Sequence, residues 1–334
     1  MDNLIKVSVI IPVYNGKKFL ENCLNILKNQ DFKYKFEIIL VNDASTDGFE
    51  NYSKNIKIDN LKIYNFEKNR GQSAARNFGV KKSSGKYIFF MDVDDSISKN
   101  SLSSLYEFTL EDDYDYIFSD FQRIEDFQNQ RVDKYNYDFD CVFSRNDIVK
   151  GMERELYDPT LGHLGLFGCN GRLIKKKIII DNNILFEENI RWLEDKTFAW
   201  DVLKYVKKAK YIRKQLYSYY VNPNVKSAII DSLKKINSIE IVETILKHVK
   251  ASFEFVDTPK SHLNKLLSQG LIFFSIQILV SISRSMLLKK IDKSFGIQIR
   301  KKIIKEIISS SDVKQAVKHY KPSKEESHLI PIAN

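Results

Sequence analysis

Three carboxylates crowd into four positions at Met91-Asp92-Val93-Asp94-Asp95, directly after the apolar run Tyr87-Ile88-Phe89-Phe90. Like charges this close repel, and the crowding costs stability unless a cation neutralises it. Hard divalent ions such as Mg²⁺ and Mn²⁺ prefer oxygen ligands, and Mg²⁺ typically takes one or two carboxylates together with substrate phosphates. An apolar strand ending in such a cluster is a rigid platform for that chemistry; a solvated acidic turn is the other reading of the same residues. A calcium loop is excluded, because no glycine stands six positions in and Ser103 occupies the place of the closing glutamate. A second polar cluster, Asn42-Asp43-Ala44-Ser45-Thr46-Asp47-Gly48, follows another apolar run. Asp43 has the chemistry to accept a hydrogen bond from a base or a ribose. Asp47 reads as an acid starting the next helix near its positive end.

The elements that position these clusters are legible as patterns. Apolar runs at 7–14, 36–41, 61–66, 87–91 and 114–119 alternate with helical patterns, which predicts an α/β sheet. Between the first two runs, Leu20, Cys23, Leu24 and Leu27 repeat at helical spacing within 17–30; a second helix fits 71–84. Each polar cluster follows a strand end, which is where open α/β sheets bind ligands. From 121 to 143 the pattern is lost, predicting an irregular excursion. Residues 172–180 and 211–221 read as strands or helix ends, 195–207 as a helix, and nearly everything after Ser227 as helical. The most apolar stretch, 271–288, is interrupted by Ser275, Gln277, Ser281, Ser283, Arg284 and Ser285, so a buried core helix is preferred to a membrane span.

Composition narrows the function. Of 334 residues, 43% are hydrophobic and 29% charged, which excludes a disordered chain. The first residues lack the charge pattern and cleavage site of a secretory signal, and the three scattered cysteines read as reduced thiols, so a cytoplasmic setting is expected. Neither Cys nor His has zinc-ligand spacing. No G-x-G-x-x-G, P-loop or G-x-S-x-G motif is present.

Several segments together resemble one known pattern. Residues Val7-Ser8-Val9-Ile10-Ile11-Pro12-Val13-Tyr14-Asn15 resemble the opening strand of family 2 glycosyltransferases. Val41-Asn42-Asp43-Ala44-Ser45-Thr46-Asp47 is similar to that family's V-[ND]-D-x-S-x-D segment. Asn69-Arg70-Gly71-Gln72-Ser73-Ala74-Ala75-Arg76-Asn77-Phe78-Gly79 resembles its N-x-G-x-x-x-A-R-N-x-G helix, and Phe90-Met91-Asp92-Val93-Asp94-Asp95 its F-[LM]-D-x-D-D motif. Trp192-Leu193-Glu194-Asp195-Lys196-Thr197-Phe198 resembles its late E-D-x-x-F element, and 213–227 a Tyr-rich strand with a closing loop. Each is weak alone; the first five, in order within roughly residues 5–225, make chance coincidence remote.

The resemblance implies an α/β GT-A fold with a Rossmann-like nucleotide-binding half and a mixed central sheet. It places a catalytic domain at 1–227, donor half 1–120 and acceptor half 121–227, and leaves a helical basic region at 228–334. It implies an inverting transfer from a nucleoside-diphosphate sugar, most often UDP-linked, to a saccharide or lipid-linked acceptor, with Mn²⁺ or Mg²⁺ as cofactor. Bacterial lipopolysaccharide, capsule or another surface glycan is the implied product. Carried over, Pro12 and Tyr14 line the base pocket and Asp43 bonds the uracil. Arg76 contacts the nucleotide, Asp92 lies near the ribose or supports the metal, and Asp94 ligates it. Asp195 is the implied general base, with Glu194 shaping the site; plain helix N-terminal acids are the alternative. Trp192 is placed to stack on a sugar ring or simply to pack. His163 is placed to touch acceptor or diphosphate, or to serve structure.

Net charge is +10, and residues 289–321 hold ten Lys/Arg against three Asp/Glu. A nucleic-acid surface interleaves basic with aromatic residues, and residues 296–319 contain no Phe, Tyr or Trp, so no nucleic-acid partner is expected. Docking on the anionic inner face of the cytoplasmic membrane is one reading of the basic end; a solvated face or an oligomer interface is the other. Two further functional classes fit the residues less well. A sugar-nucleotide nucleotidyltransferase wants a Gly-rich phosphate loop after the first strand, where Pro12-Val13-Tyr14-Asn15 stands. A non-catalytic nucleotide- or nucleic-acid-binding module is the other class, and the lack of aromatic residues in the basic end counts against it.

Overall fold

A computed structural model describes residues 4–124, 130–133, 139–157, 166–220, 233, 238–287 and 292–317. His163 and residues 221–227 lie outside the described residues. By internal packing the chain forms two compact units rather than dividing at one point near 227. The first is Met1–Asn146, Gly168–Glu188 and Tyr205–Val221; the second is Asp147–Phe167, Asn189–Lys204 and Asn222–Asn334.

The first unit is built on a mixed sheet. Strand β1 (Val7–Val13) is buried at all seven positions, so its sequence is nearly continuously apolar instead of alternating. It runs parallel to β2 (Phe36–Asn42), β3 (Leu61–Asn65) pairs parallel outside β2, and β4 (Tyr87–Phe90) flanks β1 parallel on the other side. Parallel neighbours require crossovers, here α1 (Lys17–Lys28), α2 (Phe49–Ser53) and α3 (Gln72–Lys82). Leu20, Cys23, Leu24 and Leu27 form the buried face of α1, as their spacing predicts. Helix α3 lies so close to β1 that a Cβ at Gly79 would stand 2.4 Å from Ile10 Cγ2.

Beyond β4 follow β5 (Ser96–Ile97), α4 (Ser101–Glu111) and β6 (Tyr116–Ile124). Then come β7 (Gln130–Asp133), β8 (Cys141–Ser144), α5 (Arg145–Tyr157), β9 (Leu173–Lys175) and α6 (Lys176–Asp181). Helix α7 (Glu194–Leu203) and β10 (Lys208–Tyr220) complete this stretch. The sheet order is β3-β2-β1-β4-β9-β6-β10-β5, with β7 beside β6 and β8 beside β10. Residues 121–143 therefore are not wholly irregular. β6 runs on to Ile124, and β7 and β8 add antiparallel pairs to β6 and β10. Strand β7 is short and polar, and β8, though Cys141-Val142-Phe143 is apolar, is only four residues long, so neither shows the extended apolar run that marks central strands.

The second unit contains α7, α8 (Ser238–Phe255), α9 (Lys260–Leu287), α10 (Lys293–Ser309) and α11 (Ser311–Val317). Helix α9 packs against α8, α10 and α11, and α7 against α8. Trp200, fully buried, lies 4.7 Å from the Phe167 ring and 5.7 Å from Phe253 between centroids. Helix α9 is long and apolar enough to cross a membrane, yet more than half of its apolar stretch is buried within the protein, Leu266, Phe274, Ile278 and Ile282 completely.

At the amino ends of the strands a buried acid ties β1, β2 and β3 together. Glu37, 2% exposed, accepts from Ser8 Oγ at 2.7 Å, the Ser84 N–H at 2.5 Å and Lys62 Nζ at 2.7 Å. Burial pushes its pKa up, but the hydrogen bonds from Lys62, Ser8 and Ser84 outweigh it and the net shift is downward. A depressed carboxylate contributes stability above its unfolded pKa, and that contribution is lost as pH falls through the folded value. Glu37→Gln should therefore destabilise the chain by about 1–3 kcal/mol at pH 7. Urea titrations across pH should show the gap between the two proteins closing below about pH 4.5.

Candidate functional site

The carboxyl ends of β1, β2 and β4 meet three loops that hold one another. Asn15, in the left-handed region (φ 52°), donates its N–H to Ser45 Oγ at 2.9 Å, and its Oδ1 accepts from the Thr46 N–H at 2.7 Å. Asp47 caps two helices: its carboxylate accepts from the Lys17 N–H (2.8 Å) at the start of α1 and the Phe49 N–H (3.2 Å) at the start of α2. Asp43 is 2% exposed and organises the loop ahead of α3, accepting from Asn69 Nδ2 (2.9 Å) and from the N–H groups of Arg70 (2.6 Å) and Gly71 (2.8 Å). Pro12 is buried at the end of β1, while Tyr14, two residues on, is 53% exposed. The three residues expected around the base thus sit at or beside one strand end, with Tyr14 open to solvent.

The acidic cluster is handled acid by acid. Asp92 Oδ1 accepts from Arg76 Nη2 and Gln72 Nε2, both at 2.9 Å, and Oδ2 accepts from Asn170 Nδ2 at 2.9 Å. Arg76 is 2% exposed, its guanidinium 5.3 Å from the Phe186 ring centroid. It was expected at the nucleotide; the structure sets it inside the protein, against Asp92. Asp95 is 1% exposed and accepts from Tyr217 Oη and from the Tyr220 N–H at 3.0 Å. Burial, then the Asp92 charge, push the Asp95 carboxyl above its usual range, and burial with the nearby acids raises the Tyr217 phenol as well. Asp94 lies between the two anchored acids, part-exposed. Burial and the charge of Asp92 push it up to about 6, against the opposing pull of its own N–H and of Lys18.

Among the described residues no three His, Cys, Asp or Glu side chains converge into a metal cage. A Mg²⁺-type site does not need one, because one or two carboxylates plus ligand phosphates suffice. The donors fit such an ion: Asp94 is an oxygen ligand whose ionised form is disfavoured until positive charge arrives, and Asp92 stands beside it.

Glu194 and Asp195 occupy the first turn of α7, after Leu193 in the left-handed region (φ 61°), and both are part-exposed, as is Trp192. Asp195 Oδ1 accepts from the Lys196 N–H at 2.9 Å, and Lys196 Nζ pairs with the buried Glu155 of α5. The two acids thus stand at a helix N-terminus within the second unit, as both the catalytic and the bland readings require.

Comparison with known proteins assigns the arrangement. The Glycosyl transferase family 2 model matches residues 8–181. The chain belongs to this family. An uncharacterized glycosyltransferase of Rickettsia bellii is 36% identical over 192 residues, 57% of this chain and 25% of that protein. The poly(ribitol-phosphate) beta-glucosyltransferase of Bacillus spizizenii is 28% identical over 256 residues, 74% of this chain and 37% of that protein. The chain therefore spans only a quarter to two-fifths of the length of these two relatives. The crystal structure of S. aureus TarS 1-349 in complex with UDP-GlcNAc superposes with a TM-score of 0.67 at 19% identity, covering 97% of this chain and 92% of that one. The fold is GT-A, a mixed sheet with parallel strands in its nucleotide-binding half, followed by a helical C-terminal region.

Gln72, Asn170 and Tyr217 escaped the sequence reading of the site. Gln72 and Tyr217 lie in segments that resemble the family but carry no charge to mark them. Asn170 lies in the glycine-containing stretch before β9 and gives no local signal at all. Arg76 tests the arrangement. Removing one partner of a buried ion pair typically costs about 3–5 kcal/mol. Arg76→Ala should lower the urea midpoint by a corresponding amount with no ligand present. Unchanged stability with weakened nucleotide binding alone would return Arg76 to the role of direct contact.

Proposed function

We propose that the chain transfers a sugar, with inversion, from a UDP-linked donor to a hydroxyl of a saccharide or glycolipid acceptor in the synthesis of a bacterial surface glycan such as lipopolysaccharide or capsule. The observation that carries the reading is Asp94: a part-exposed, charge-frustrated carboxylate between two anchored acids, at the strand ends of a family 2 chain. The UDP-GlcNAc complex of TarS and the glucosyltransferase of B. spizizenii support donor class and polymer class.

Pro12, Tyr14 and Asp43 form the base end of the donor site, and Asp92, held by Gln72, Arg76 and Asn170, faces the ribose or the metal. Asp94, with Asp92, would hold Mn²⁺ or Mg²⁺, which when bound stabilises the negative charge gathering on the departing diphosphate. Asp195 accepts the proton of the acceptor hydroxyl as that oxygen bonds to the anomeric carbon and the carbon–oxygen bond to the diphosphate breaks. No covalent intermediate forms on the protein, so one displacement inverts the centre. Glu194 and Trp192 shape the acceptor side.

A panel of sugar nucleotides assayed for transfer and hydrolysis, with Mn²⁺ and with EDTA, tests this. Asp94→Ala should abolish transfer together with Mn²⁺-dependent UDP binding. Asp195→Asn should lower turnover about 10²–10⁴-fold with donor affinity little changed. Full wild-type activity in EDTA removes the metal; weakened UDP binding with normal turnover in Asp195→Asn removes the base.

The second unit supports a peripheral membrane setting for a lipid-linked acceptor. Helix α10 turns Gly296 and Ile303 inward. Ile297, Ile304 and Ile308, 40%, 36% and 58% exposed, repeat along one stripe, and Lys293, Lys301, Lys302 and Lys305 are exposed around them. Arg300 is half-buried on the inner side. Apolar side chains enter the headgroup boundary while lysines reach out to anionic lipid, each contributing about 1 kcal/mol. The chain should sediment with phosphatidylserine-containing vesicles and less with phosphatidylcholine alone. Binding should fall with salt and drop when Lys301, Lys302 and Lys305 become Glu. Equal binding to both vesicles, or none at low salt, removes the claim.

A further inference from the structure

We propose that Tyr217 is a positioning residue for the donor loop: one buried hydroxyl staples both ends of the Asp92–Asp95 turn and thereby sets where Asp94 stands. The inference rests on the donor-site reading above. The turn closes on itself through the Asp95 N–H, which donates to the Asp92 carbonyl at 3.1 Å. From within the sheet, Tyr217 Oη accepts from the Asp92 N–H at 3.3 Å and donates to Asp95 Oδ2. Three residues further along β10, the Tyr220 N–H holds the other oxygen of Asp95 at 3.0 Å. Val93 and Asp94 lie between the two stapled ends; Val93 is buried, and Asp94 is the part-exposed acid of the pair.

The ring is as constrained as the hydroxyl. Tyr217 is 4% exposed, and its centroid lies 6.5 Å from that of Phe89, in the strand that leads into the turn. It packs over Gly171, where a Cβ would stand 2.8 Å from the ring and φ is 72°, a conformation that disfavours any side chain. The Gly171 N–H donates to the Phe90 carbonyl at 3.1 Å, and neighbouring Asn170 holds Asp92. Thus Tyr217, Gly171 and Asn170 clamp the end of β4 and the turn after it. A tyrosine used only to fill the core would not need its hydroxyl at the two atoms that bracket a ligand-facing acid.

The test is calorimetric UDP binding across a Mn²⁺ series, read beside thermal melting. Tyr217→Phe keeps the ring and removes the staple; half-saturating Mn²⁺ should rise at least about tenfold. That variant leaves a buried carboxylate short of a partner and can lose stability for that reason alone. The double variant Tyr217→Phe/Asp95→Leu leaves no buried carboxylate short of a partner, although the Asp92 and Tyr220 N–H groups each lose an acceptor. It should melt above Tyr217→Phe yet keep the weakened Mn²⁺–UDP binding. Binding restored together with stability would make Tyr217 an ordinary core tie and overturn the proposal. Should wild-type UDP binding be the same in EDTA, the metal reading fails, and the staple is decided by UDP affinity: equal values for wild type and the double variant overturn it.

Discussion

Repulsion among Asp92, Asp94 and Asp95 is the constraint around which the rest of the donor half is arranged. Three acids at the end of a buried strand are tolerable only if each is treated separately. Asp92 is matched by the guanidinium of Arg76 and two amide donors. Asp95 is drawn into the core and given Tyr217 Oη and a backbone N–H, and its pKa is raised. Only Asp94 is left as a carboxylate facing outward with its charge disfavoured. Two of the three acids therefore have fixed places, and the third stands part-exposed between them.

The two ends of the parallel strands divide the remaining work. At the amino ends, Glu37 bonds Ser8, Lys62 and Ser84 and does nothing that requires a ligand. At the carboxyl ends, Asn15, Asp43 and Asp47 spend their polar atoms on neighbouring loops, so the floor of the site is fixed before anything binds. Fixed loops over a sheet whose central strand is buried along its whole length lose little entropy on binding. Tyr14, just beyond the end of β1, is exposed to solvent.

The parts of this that could be read from sequence are the parts that are contiguous. The five apolar runs that become β1, β2, β3, β4 and β6, and the helices α1 and α3, follow from periodicity, because burial writes itself directly into residue type; the short α2 and the helix α4 do not stand out in the same way. The acidic cluster was visible for the same reason: its members are adjacent. Its partners were not. Gln72, Asn170 and Tyr217 reach Asp92 across 20, 78 and 125 positions, and each is an uncharged residue with no local oddity. Arg76 stands in a motif as a nucleotide contact; its burial against Asp92 cannot be read from a charged residue on a helix whose small neighbours, Ala74, Ala75 and Gly79, let it approach the sheet. Strands β7 and β8 went unseen because each is only four residues long, and β7 is polar besides.

Charge frustration at Asp94 also couples folding to ligand binding. A carboxyl whose folded pKa is raised to about 6 binds a proton more readily in the native than in the unfolded chain. Ionising it therefore lowers native stability progressively as pH rises from the unfolded value toward 6, and the deficit persists at neutral pH. Anything that brings positive charge to Asp94 lowers its pKa, removes the deficit and so binds the folded state preferentially. The strain is local, because Asp92 and Asp95 on either side are anchored by bonds that do not depend on a ligand. The loops after β1 and β2 are meanwhile hydrogen-bonded to one another through Asn15, Ser45, Thr46 and Asp47, so the deficit at Asp94 is carried by a carboxylate and not by the backbone around it.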